Sequence, residues 1–133
     1  MCARNGGLNV AEVSAHITAS HEQDRQLEIT PRELAERRAR GEPVRLLDIR
    51  TREEWDAVRL DGAEFVDQEL VQTLMSRAAR EGLLVFYDHS GTASLDAAAY
   101  FAGHGFTQAK FLRGGIDAWA QEVEPKLPRY RLA

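Results

Sequence analysis

The chain has 133 residues, 44% hydrophobic and 29% charged, enough apolar material for one core of ordinary size. Its net charge of -4 gives no general attraction to nucleic acid, no run approaches the ~20 apolar residues of a membrane span, and no secretory signal opens the chain. The single cysteine, Cys2, excludes an intramolecular disulfide and a multi-cysteine metal site. The expected location is therefore cytoplasmic, with no cofactor and no metal.

In chain order, residues 1–26 are polar and weakly patterned. They read as an N-terminal tail or arm, within which Val10, Val13 and Ile17 could share one side of a short helix. Residues 27–133 read as one domain. Thr30-Pro31-Arg32-Glu33 is a capping box with proline at the first helical position, opening a helix to residue 40 that Gly41 stops. Arg37, Arg38 and Arg40 alternate with Glu33, Glu36 and Glu42 as a solvated helix face does. Residues 44–49 form a short strand apolar enough for burial on both faces. Thr51-Arg52-Glu53-Glu54 is a second capping box, starting a short helix through Trp55. Gly62-Ala63 turns into a strand at 64–66, and Asp67 caps a helix over 68–79 that Gly82 ends. Residues 83–87 are the next buried strand. A helix over 94–102 ends at Gly103 and Gly105, residues 109–112 are the last strand, and Gly114-Gly115 turns into a helix over 116–121. Pro125 and Pro128 close the chain as an extended tail. Strands alternating with helices at this spacing predict an α/β domain with a parallel sheet.

The informative junction is Val85-Phe86-Tyr87-Asp88-His89-Ser90-Gly91-Thr92-Ala93-Ser94. An apolar strand ends in a small polar loop that enters a helix, so backbone N–H groups converge where a helix begins, which is an anion cradle. Parallel sheets keep ligands beyond the carboxyl ends of their strands, where this loop lies.

Several segments resemble rhodanese-like domains. Leu46-Leu47-Asp48-Ile49-Arg50 followed by Glu53-Glu54-Trp55 is similar to the family's "DVR…EEW" segment. Arg59-Leu60-Asp61-Gly62-Ala63 falls where the family has "HIPGA". Gly105-Phe106-Thr107 and Leu112-Arg113-Gly114-Gly115-Ile116-Asp117-Ala118-Trp119 match "GF" and "GGIxAW", and Pro125-Lys126-Leu127-Pro128-Arg129-Tyr130 is similar to the tail of one bacterial branch. The resemblance spans residues 27–130. It implies a three-layer fold with a central parallel sheet of about five strands, and sulfur transfer through a cysteine persulfide in a C-x-x-G-x-R-S loop. Here Asp88 stands at the cysteine position and Ala93 at the arginine position, while His89, Ser90, Gly91, Thr92 and Ser94 complete the loop. Asp48 and Arg50 resemble a pair that organises the sheet end near it, a structural role.

These departures strike at the mechanism. Sulfur transfer needs a soft nucleophile that takes and releases a sulfane sulfur, and a carboxylate is not one. Alanine cannot hold an anionic donor as arginine does. Asp88 is expected instead to be an internal anion, accepting loop N–H groups and capping the following helix. The expectation is a non-catalytic binding or regulatory module with a protein partner, the resemblance hinting at thiol or iron–sulfur metabolism. Two alternatives stay open: altered hydrolytic or anion-processing chemistry through Asp88 and His89, and sulfur handling through Cys2 or a partner's cysteine. Trp55 and Trp119 are expected as core anchors. His16, His21 and His104 have no ligand spacing, and His104 is expected in an exposed turn.

Overall fold

A computed structural model describes residues 26–127. The expected arm, the 10–17 helix, Cys2, His16, His21 and the residues from Pro128 onward lie outside them. Five parallel strands form one sheet: β1 (Glu28–Ile29), β2 (Val44–Asp48), β3 (Glu64–Phe65), β4 (Leu83–Tyr87) and β5 (Ala109–Leu112), in the order β1-β5-β4-β2-β3. The helices are α1 (Pro31–Ala39), α2 (Arg52–Ala57), α3 (Gln68–Arg77), α4 (Thr92–Gly103) and α5 (Gly115–Glu122). The three-layer α/β architecture is as expected from the sequence.

Successive side chains of a strand point to opposite faces, so β4, buried at all five positions, feeds two cores. Leu83, Val85 and Tyr87 pack with Leu34 of α1 and with Ile116 and Trp119 of α5. Leu84 and Phe86 pack with Leu74 of α3 and with Ala98 and Phe101 of α4. At ~1.5–3 kcal/mol for each large apolar side chain removed from water, this strand is the main anchor of both layers. From β2 the chain passes outward to β3, and from β4 it passes the other way to β5. The carboxyl ends of β2 and β4, where Asp48 pairs with Tyr87, therefore form the switch point at which open parallel sheets place sites.

The caps follow the side chains that set them. Thr30 Oγ1 accepts the Glu33 N–H at 3.1 Å, Asp67 Oδ1 accepts the Leu70 N–H at 2.8 Å, and both halves of the Thr51–Glu54 box are formed.

Other expectations are corrected. The third helix ends at Arg77, because Ala78 is already extended at ψ 145°; Gly82 lies in a later turn and donates to the Ala79 carbonyl. The helix after Asp88 starts two residues earlier than expected, at Thr92. Pro125 sits in a turn, where Leu127 N–H donates to Glu124 O at 2.9 Å, rather than in an extended tail. Arg38 is not simply solvated, since its guanidinium donates to the Asp61 carbonyl at 2.7 Å. Trp119 is a core anchor, but Trp55 is not. Helix α2 is six residues long with no buried residue, and Trp55 is half-buried over edge strand β3. There it packs edge-on to Phe65 at 5.6 Å, with the Arg59 guanidinium 4.6 Å above its ring.

Candidate functional site: a loop filled by its own carboxylate

Strand β4 delivers Asp88 to the carboxyl edge of the sheet, and the chain turns at once into α4. The first amides of a helix have no partner within it. Here they find Asp88. Its Oδ2 accepts the N–H groups of Ala93 at 2.7 Å and Ser94 at 3.3 Å. Its Oδ1 accepts the Gly91 N–H and the Ser94 hydroxyl at 3.2 Å. A carboxylate only accepts, and all four groups donate, so the recess is closed with charge-assisted bonds. Asp88 is 9% exposed. The side chains at His89, Ser90, Thr92 and Ala93 stand exposed around it, whereas Gly91 and Ser94 are buried.

Two glycines make that geometry possible. Gly91 takes φ +103°, and a Cβ on it would sit 3.0 Å from the Gly114 nitrogen, so the loop can lie flat against the β5–α5 turn only without a side chain. Gly115, at φ +64°, passes so close to the loop that a Cβ would overlap the carbonyl oxygens of Asp88 and His89. Those carbonyls accept the first amides of α5, from Ile116 at 2.9 Å and Asp117 at 3.3 Å. One helix N-terminus thus holds the Asp88 carboxylate and another holds the loop's backbone.

Beneath the loop lies a second buried polar group. Asp48 Oδ1 accepts from the Arg50 backbone N–H at 2.9 Å and from its Nε at 2.9 Å. Asp48 Oδ2 takes Arg50 Nε at 3.1 Å and Nη2 at 2.6 Å. Their side chains are 0% and 1% exposed. Arg50 also donates to the Val58 carbonyl and lies 5.5 Å from the Tyr87 ring centre. Tyr87, the residue before Asp88, accepts the Leu60 N–H at its hydroxyl at 3.1 Å. Burial first, and the Asp48 charge next, push the Tyr87 hydroxyl pKa well above the ordinary tyrosine range. The pair therefore ties the end of β2 to the 58–60 segment and to the floor of the 88–94 loop. Sequence reading missed Tyr87, whose signal was a polar-tipped aromatic closing a wholly apolar strand, and it missed the α5 amides, which left no local signal.

His89 is exposed, while the oxygens of Asp88 are engaged inward. Among the described residues no three His, Cys, Asp or Glu side chains come together as metal ligands would, which a magnesium-assisted aspartyl-phosphate mechanism would call for. His104 is exposed at the end of α4, with Nδ1 2.8 Å from the Tyr100 carbonyl.

Residues 30–122 match the model of the rhodanese-like domain. A sulfurtransferase of Allochromatium vinosum is 36% identical over 98 residues, covering 74% of this chain and 92% of that protein. "Probable adenylyltransferase/sulfurtransferase MoeZ" of Mycobacterium tuberculosis is 35% identical over 104 residues, 77% of this chain but 26% of MoeZ. The chain thus spans about a quarter of that relative's length. In structure, the human single-domain sulfurtransferase TSTD1 superposes with a TM-score of 0.64 at 24% identity, covering 72% of this chain and 96% of that one.

Proposed function

We propose that this chain, which belongs to the rhodanese-like domain family, moves no sulfur itself and serves as a binding or regulatory module for a protein partner. The observation that carries this reading is the Asp88 carboxylate bound by its own loop, through Gly91, Ala93 and Ser94. A sulfur nucleophile must be free to attack a sulfane donor and then let the sulfur go. Asp88 has the wrong atom for this, and its lone pairs are already engaged. Ala93 adds no cation to draw an anionic donor.

The partner role draws support from MoeZ, whose name joins an adenylyltransferase to a sulfurtransferase. A domain that works beside another protein within one chain can work beside one in trans, and thiol or iron–sulfur metabolism in the cytoplasm fits the relatives' sulfur chemistry. In this reading residues 27–133 are the module and residues 1–26 an arm attached to it.

The test is thiosulfate-to-cyanide sulfur transfer. The chain is expected at background, and Asp88→Cys combined with Ala93→Arg is expected above it. Robust turnover by the unmodified chain overturns the reading, and loss of that turnover in Cys2→Ser would assign the activity to Cys2.

A further inference from the structure

We infer that Asp88 holds the loop in permanent imitation of a loaded sulfurtransferase, so that the partner is a sulfur-accepting protein that docks on the loaded loop and is held there without receiving sulfur. This rests on the non-catalytic reading above and adds to it the chemical class of the partner.

The imitation is one of atoms and of charge. An aspartate oxygen lies two bonds beyond Cβ, as does the outer sulfur of a persulfide on a cysteine at the same position, and each group carries one negative charge. The Asp88 oxygens meet three backbone N–H groups and one hydroxyl, so the charge is present whatever small molecules are around. An acceptor protein approaching this edge meets the exposed rim of His89, Ser90, Thr92 and Ala93, with the buried anion directly behind it. Ala93 places no guanidinium over the recess, so a cation on the partner can meet the field of the carboxylate across the rim. The Asp88 and His89 carbonyls are held by Ile116 and Asp117 N–H, which fixes the start of the rim by bonds that do not involve the carboxylate. A partner that reads shape and charge together therefore finds the loaded form here at all times.

The experiment retains proteins from a lysate of the source cells on the immobilised full chain, identifies them, and measures the affinity of the leading one for four samples. These are the unmodified chain, Asp88→Asn, Asp88→Ala, and Asp88→Ala with sulfate at an ionic strength matched by chloride in the other three. The expected result is binding about tenfold weaker in both variants, since each lacks the charge that the partner complements. Sulfate, and not chloride, restores binding to Asp88→Ala by refilling the cradle. The unmodified chain is also expected to slow sulfur delivery from the thiosulfate-loaded thiosulfate sulfurtransferase GlpE of Pseudomonas aeruginosa to that protein. Asparagine keeps the aspartate's size but turns an NH2 toward N–H donors of the cradle, so the amide resonances of residues 89–94 are compared across the variants to tell a lost loop shape from a lost charge. Affinities equal across the four samples overturn this inference and leave the binding-module reading standing. Retention of no protein overturns both.

Discussion

Asp48→Ala should be among the most damaging single substitutions in the chain, although Asp48 touches no solvent. It removes the carboxylate from a guanidinium that is 1% exposed, and with it the contacts at Arg50 N, Nε and Nη2. Arg50 keeps the Val58 carbonyl and the face of Tyr87. Breaking a buried pair from one side costs about 3–5 kcal/mol, a large part of the ~5–15 kcal/mol that holds a domain folded. The melting temperature should fall by on the order of 15–30 °C for a domain of this size. Replacing both partners with apolar groups, as Asp48→Leu with Arg50→Met, removes both buried charges and should cost much less than the sum of the single changes. Urea unfolding followed by tryptophan fluorescence gives the cost of Asp48→Ala, of each single change in the pair and of the double variant. A cost below about 1 kcal/mol for Asp48→Ala, or additive costs in the double variant, would refute the reasoning, since either means the pair behaves as if solvated.

Asp88→Ala removes a helix cap and should cost about 1–2 kcal/mol, less than Asp48→Ala because water can reach the recess; an unchanged melting curve counts against the internal-anion geometry. Gly115→Ala drives a Cβ into the Asp88 and His89 carbonyls at a positive φ; it should destabilise by several kcal/mol, on the order of other overpacked or strained sites, and shift the amide resonances of residues 88–94, with normal stability as the contrary result. Tyr87 gives a pH signature. Its folded pKa is raised above the ordinary tyrosine value of 10.0, so the folded state holds the proton more tightly than the unfolded state does. That stability is fully present below about pH 10 and is lost as the pH rises above it. Tyr87→Phe should be less stable at neutral pH, having lost the Leu60 contact, yet show a shallower alkaline decline in unfolding free energy; parallel declines would be contrary.

Much of the framework was legible because it is locally encoded. Strand β4 is a continuous apolar run between Gly82 and Asp88, β5 is apolar except for Lys110, and the ends of both match the reading. Thr30, Thr51 and Asp67 cap helices through hydrogen bonds only three residues long. What escaped depends on distant chain. Strand β1 is two residues, defined only by its ladder with β5. Helix α4 begins at Thr92 because Asp88 and the β5–α5 turn order the loop before it. The burial of Trp55 depends on which strand lies beneath it, and its spacing in the sequence carries no such information. At the site, the Asp88–Ser94 stretch was visible as a cradle, while the clamp on its backbone comes from amides more than twenty residues away.

Titration calorimetry of thiosulfate, at fixed ionic strength, into the chain and into Asp88→Ala asks most directly whether the recess is already filled from within. No heat of binding is predicted for the unmodified chain, and saturable binding for Asp88→Ala, whose vacated N–H groups would take the free anion. Equal saturable binding to both, or binding to the unmodified chain alone, would contradict the account.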